Sequence, residues 1–454
     1  MQRLEFPDDF VWGTATASYQ VEGATHEGGR SESIWDTFSR IPGKVYAGEN
    51  GDIACDQYHR YAEDISLMAE LGFQSYRFSL AWPRILPEGT GRVHETGLAY
   101  YRNLCEELHK HDIKACATLY HWDLPQCLQD KGGWTERFMV DAFAEYVKAC
   151  YAGLGDLVDQ WITINEPFCI TYLGHLWGVH APGIQDVNLA VRAVHHVNLA
   201  HGVAVKAYRE TGLKAPIGTT LNLSTPRFAT NSPQDRHAAL VARAVESEVF
   251  LNPLLGKGYP ELSVQALGVP FPVQAGDLET IAAKIDFLGI NYYTESPVGQ
   301  DAGALFKYSG RPSWHDTSDM NWSTVPGGLE RLITWVHECA PGLPLYITEN
   351  GYARQDRVEV DGRVHDRERI EYLKQHLEVC ATLIKAGVNL KGYYAWSFLD
   401  NFEWAFGYTK RFGIVYVDYA TQKRIPKDSA YFFRDIIAGY AEWPSLAQEA
   451  RLGG

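Results

Sequence analysis

The 454-residue chain has no apolar run approaching the roughly 18 residues of a membrane-spanning helix, so none is expected to cross a bilayer. Residues 1–9 carry no apolar segment of the signal-peptide kind, which points to a cytoplasmic protein. Eight cysteines stand at 55, 105, 116, 127, 150, 169, 339 and 380, but no two form a Cys-x-x-Cys pair. No metal site is expected from them, and they read as reduced, mostly buried thiols. His195, His196 and His201 lack the i, i+4 spacing of a helical zinc site. Excess positive charge is missing as well. Forty-one Lys and Arg against 56 Asp and Glu give a net charge of −15, which disfavours nucleic acid and anionic membrane as partners. Gly43-Lys44 and Gly256-Lys257 lack the earlier glycine and the following Ser or Thr of a phosphate loop. No repeat, low-complexity tract or linker divides the chain, so residues 1–454 are expected to form one domain.

What is present suits a large folded core: 46% apolar, 21% charged and 13% aromatic residues. Eight apolar runs read as strands, at 11–17, 74–80, 114–120, 160–165, 216–222, 286–292, 345–349 and 392–397. Amphipathic stretches such as 58–71, 99–111, 138–154, 189–211 and 366–386 lie between them. Alternation of strand and helix implies parallel strands joined by crossover helices, and eight units close into an α/β fold of (β/α)8 barrel type. Chemistry is then expected at the C-terminal ends of the strands, inside a pocket rimmed by long loops at 31–56, 171–183, 299–326 and 398–412.

Two strands reach a glutamate beside a Pro or Gly break: Trp161-Ile162-Thr163-Ile164-Asn165-Glu166-Pro167 and Leu345-Tyr346-Ile347-Thr348-Glu349-Asn350-Gly351. A carboxylate at the mouth of a buried strand is costly without a partner or a task, and two on strands of similar make suggest a working pair.

These stretches resemble the acid/base and nucleophile motifs of family 1 glycoside hydrolases. Phe10-Val11-Trp12-Gly13-Thr14-Ala15-Thr16-Ala17-Ser18-Tyr19-Gln20-Val21-Glu22-Gly23 is similar to that family's opening signature. The resemblance implies a retaining β-glucosidase releasing terminal non-reducing β-D-glucosyl residues from cello-oligosaccharides and aryl or alkyl β-glucosides. It implies Glu166 as acid/base and Glu349 as nucleophile, with Arg77 and Tyr293 supporting the latter. Gln20, His121, Trp122, Asn165, Tyr293, Trp396, Glu403 and Trp404 match its sugar-binding set. Phe168, Cys169, Leu173, His180, Asn222 and Trp322 fall on its leaving-group side, where Cys169 reads equally well as a small buried filler. No metal or cofactor is implied, the partner is a small-molecule β-glucoside, and a homo-oligomer is left open.

Two alternatives remain: a 6-phospho-β-glycosidase of the same family, and a sugar-binding barrel without activity. Against the first, Glu403 would repel a phosphate, and Lys410 and Arg411 read as solvated loop charges rather than phosphate ligands.

Overall fold

The computed structural model describes residues 5–311 and 317–439. Eight parallel strands close into a barrel: β1 (Val11–Ala15), β2 (Ser75–Ser79), β3 (Lys114–Tyr120), β4 (Gln160–Asn165), β5 (Ile217–Asn222), β6 (Phe287–Asn291), β7 (Leu345–Asn350) and β8 (Leu390–Trp396). They follow one another round the ring in chain order, and β1 pairs with β8 from Val11 opposite Gly392 to Ala15 opposite Trp396. The strand ends differ from the sequence reading by a residue or two at most. The expected helices are α1 (Gln57–Glu70), α2 (Glu95–Lys110), α3 (Phe138–Leu154), α4 (Val187–Thr211) and α7 (Arg367–Lys385). Three further helices of ten residues or more occur among the described residues: α5 (Pro233–Arg243), α6 (Pro326–Cys339) and α8 (Asp428–Ile437).

Small residues let the strands curl. Gly13 of β1 lies under the Tyr394 ring of β8, and a Cβ on Gly289 of β6 would collide with Thr220 and Thr348 on its two neighbours. The space so shaped is filled by Cys116, Ile162, Phe287 and Tyr394, drawn from β3, β4, β6 and β8, with Trp396 above them in the same cluster. This interior is a packed core rather than a pore. The site therefore sits on it, where all eight strands end.

The loops there carry structure of their own. The first holds a short helix, Ile34–Ser39, and the chain after β4 winds into a π-helix, Cys169–Leu176. The loop after β6 forms a hairpin from Val298–Gln300 and Tyr308–Gly310, while residues 312–316 of the expected 299–326 loop lie outside the described residues. Among the described residues no helix is long and apolar enough to cross a membrane. The three histidines of α4 have separate partners: His195 meets Asp277 and Tyr259, His196 the Trp134 carbonyl, and His201 the Thr163 hydroxyl.

Candidate active site

The site is built around a buried cation. Arg77 of β2 is 0% exposed. A guanidinium in such a place must find acceptors in several directions. It donates to Thr118 Oγ1 at 3.2 Å, to the Thr348 carbonyl at 3.0 Å, to Glu349 Oε1 at 2.6 Å and to Asn165 Oδ1 at 2.7 Å. One side chain thus ties together the ends of β3, β4 and β7.

The second oxygen of Glu349, Oε2, accepts from the Tyr293 hydroxyl at 2.7 Å. Burial pushes the Glu349 carboxyl up from its ordinary range, and Arg77 and Tyr293 pull it back. Glu166 has weaker company. Asn291 Nδ2 donates to its Oε1 at 2.7 Å, and the Cys169 thiol donates to its Oε2 at 3.0 Å. Burial, and then the neighbouring Glu349, push Glu166 up to about 7. An amide and a thiol favour a carboxylate less than a guanidinium and a phenol do. Of the pair's two carboxyls, Glu349 therefore carries the charge and Glu166 the proton.

Backbone conformation helps aim these groups. Glu166 (φ 49°), Trp122 (φ 79°) and Trp404 (φ 49°) all occupy the left-handed region, which non-glycine residues enter at some cost. That three residues of one site do so marks a mouth shaped by its surroundings rather than by local preference.

A second set faces the same space. Gln20 Nε2 donates to Asn401 Oδ1 at 3.0 Å, to the Phe402 carbonyl at 2.8 Å and to Glu403 Oε2 at 3.4 Å, while Gln20 Oε1 is buried without a protein partner. Asn165 Nδ2 donates to His121 Nε2 at 3.1 Å, which leaves the His121 proton on Nδ1, an atom likewise without a protein partner. Burial, then Arg77, hold His121 neutral by driving its pKa well down. Burial, followed by Glu349 and Glu166, pushes Glu403 up to about 8. The His121 ring stacks on both Trp396 (5.9 Å, 15°) and Trp404 (6.0 Å, 16°), and Trp122 packs on Trp404 at 4.6 Å. Every residue expected to bind sugar thus belongs to one connected group.

The leaving-group side is less uniform. His180 lies edge-on to Trp35 and against Trp122, and Trp322 packs on Tyr293 at 5.3 Å. Phe168 packs on Tyr172 and Trp177 in the wall behind, and Leu173 packs against the core. Cys169 is neither plain filler nor turned outward, since its thiol lies on Glu166, and Asn222 Nδ2 reaches its sulfur at 3.7 Å.

Two expectations need correction. Arg411 is no solvated loop charge: it donates to the buried Asp400 at 2.7 Å and lies over the Tyr416 and Tyr419 rings. Lys410 is half-buried, with Nζ on the Asp319 carbonyl at 2.6 Å. Both exceptions have one cause, the return of the β8 loop onto neighbouring chain that supplies acceptors. One residue escaped the sequence reading. Asn291, the last residue of β6, touches both Glu166 and Asn165, and its side-chain oxygen accepts from Thr348 Oγ1 at 2.8 Å. Like Asn165 and Asn222, it is a polar residue ending an apolar strand.

Comparison with known proteins agrees with this geometry. The sequence profile of Glycosyl hydrolase family 1 matches residues 2–441. Beta-glucosidase A of Thermotoga maritima is 47% identical over 439 residues, covering 96% of this chain and 98% of that protein. The crystal structure of the AHE enzyme from Alicyclobacillus herbarius superposes with a TM-score of 0.94 at 52% identity, covering 97% of this chain and 100% of that one. The family 1 β-glucosidase of Thermotoga maritima in complex with isofagomine lactam does so with a TM-score of 0.94 at 46% identity, with the same coverage. A catalytic-looking pair at the mouth of an eight-stranded barrel and a family match over nearly the whole chain agree: the protein is a glycosidase and belongs to glycosyl hydrolase family 1.

Proposed function

We propose that the protein is a retaining β-glucosidase in which Glu349 is the nucleophile and Glu166 the general acid and base. The observation that carries this is the unequal company of the two carboxyls. A nucleophile must be ionised, and Glu349 has Arg77 and Tyr293 on its two oxygens. A general acid must hold a proton near neutral pH, and Glu166 is pushed up to about 7. Glu349 attacks the anomeric carbon while Glu166 protonates the departing oxygen. Water then gives a proton to Glu166 as it displaces Glu349 from the same carbon, so configuration is retained.

Glucose recognition follows from atoms the protein leaves open. His121 Nδ1–H donates and Gln20 Oε1 accepts, a match for neighbouring hydroxyls. With one N–H of Asn165 spent on His121, the other can reach the sugar 2-OH, a contact that strengthens in the transition state. Glu403, protonated in the free site, can both donate and accept, so the negative charge expected to repel a phosphate is absent there until the pH passes about 8. Trp396 offers an apolar face for the ring. The relatives named as β-glucosidases support glucose as the sugar. A 6-phosphate is disfavoured, because Lys410 and Arg411 are already committed to Asp319 and Asp400. Eight free cysteines fit a reducing, cytoplasmic setting.

The experiment is Glu166→Ala. Hydrolysis of cellobiose should fall about 10³-fold, while a dinitrophenyl β-glucoside, whose leaving group needs no proton, should still form the intermediate. Added azide should then restore turnover and yield the β-glucosyl azide. Equal losses on both substrates, or an α-azide, would contradict the assignment.

A further inference from the structure

A carboxylic acid has two oxygens, and an efficient general acid keeps its proton on the one facing the leaving group. The structure supplies a device that separates the two in Glu166. Both N–H bonds of the Asn291 amide are used, one on Glu166 Oε1 at 2.7 Å and one on Asn165 Oδ1 at 3.1 Å. The amide cannot be turned over. Its oxygen accepts from Thr348 Oγ1 at 2.8 Å, and a flip would set that oxygen against two acceptors instead. Glu166 Oε1 thus always faces a donor that cannot accept. A proton placed there would lose a short hydrogen bond, whereas Oε2 meets a thiol, a weak donor that yields easily. Cys169 is 8% exposed and also receives Asn222 Nδ2 at 3.7 Å, so its sulfur is held from both sides.

We propose that Asn291 and Cys169 are positioning residues for Glu166: Asn291 fixes Oε1 as an acceptor and so assigns the mobile proton to Oε2, and Cys169 steadies Oε2 while it is ionised. The proposal rests on Glu166 being the acid and base. In glycosylation the Oε2 proton passes to the glycosidic oxygen as its bond to the anomeric carbon breaks and the bond to Glu349 forms. In deglycosylation a water proton returns to Oε2 as water oxygen replaces Glu349. The titratable or charged groups around Glu166 are Glu349 from β7, Arg77 from β2, Tyr293 after β6, Glu403 after β8 and Cys169 on the π-helix.

Both donors favour ionised Glu166, so removing either raises its pKa and moves the basic limb of the kcat/KM profile to higher pH. For Asn291→Ala the expected displacement is about one pH unit, and for Cys169→Ala about half a unit, reversed by Cys169→Ser. Asn291→Ala should also lose at least about tenfold more activity on cellobiose than on a dinitrophenyl β-glucoside, because a misplaced proton harms only the step that needs it. A mere packing role would slow both substrates alike and leave the basic limb in place. Should Asn291→Ala not fold, the Cys169→Ala and Cys169→Ser pair carries the same pH test. Basic limbs that stay put or move to lower pH, or equal losses on the two substrates, would overturn the proposal. Glu166→Ala, run beside them, separates the two levels. If it shows no leaving-group dependence, the acid/base assignment itself is at fault; if it does while the other limbs stand still, only the division of oxygens is wrong.

Discussion

Two clusters of buried charge lie at the C-terminal side of the barrel, and they differ in one respect. In the first, Arg369, Lys427 and Arg411 meet Asp356, Asp366 and Asp400: three cations for three carboxylates, joined by five ion pairs that leave each charge partnered, with the Ser429 hydroxyl donating to Asp366 as well. In the second, Glu166, Glu349 and Glu403 are set against Arg77. Burial opposes ionisation in both places. In the balanced cluster Arg369 and Lys427 overcome it, and Asp356 falls below its ordinary range. In the mouth burial wins, and all three glutamates rise. The balanced cluster holds structure, bracing the loop in which Asp400 and Asn401 lead to Glu403. The unbalanced one must share protons among carboxyls, and a shared proton is what acid catalysis draws on.

Disturbing each cluster should have a different consequence. The largest effect is expected at Glu349. Its replacement by glycine should lower hydrolysis by about 10⁴-fold or more, because the covalent intermediate cannot form. With α-glucosyl fluoride, which mimics that intermediate, the variant should transfer glucose to an acceptor; near-normal hydrolysis by a verified variant would rule out the nucleophile. Next comes Arg369→Ala. It takes Arg369 from Asp366 and leaves Asp356 with Lys427 alone in a buried site, and should reduce stability by about 3–5 kcal/mol in denaturant unfolding. The basic limb of the residual activity should stay in place, and a moved limb would mean that the two clusters are electrostatically one.

The smallest effect concerns Glu403. Its folded pKa of about 8 lies above the ordinary carboxylate value. Its contribution to stability is therefore complete at low pH and is lost as pH rises through about 8. Glu403→Gln cannot ionise, so it should melt about 1–2 °C above the parent at pH 9 and show no gain at pH 5. The carboxyl is half-buried, which keeps the difference small. A melting difference independent of pH would remove Glu403 from the strained set.

The barrel was legible because its strands announce themselves: β4, reading Gln-Trp-Ile-Thr-Ile-Asn, is buried beyond its first residue and ends at the functional glutamate. Helices with a full apolar stripe were equally plain. Helix α5 was not, since only Ala238, Ala239, Val241 and Ala242 are buried in it, while Leu240 is exposed and the remaining positions after Pro233 are polar. Partners distant in sequence were also hidden. Arg411 looks like a loop cation until the fold brings Asp400 to it. Asn291 stood unnoticed beside two tyrosines, because what matters is its simultaneous contact with Asn165 and Glu166, which only closure of the ring creates.

The division of charge between Glu166 and Glu349 can be read by following carboxyl carbons of 13C-labelled glutamate against pH, with Glu166→Gln identifying the signal. Glu166 should titrate near 7 in the parent, and replacing Glu349 by Gln should lower that value by a unit or more, because the neighbouring charge that holds the proton is gone. A Glu166 carboxyl that titrates in the ordinary range near 4.5, unchanged by Glu349→Gln, would contradict the charge imbalance from which the mechanism is derived.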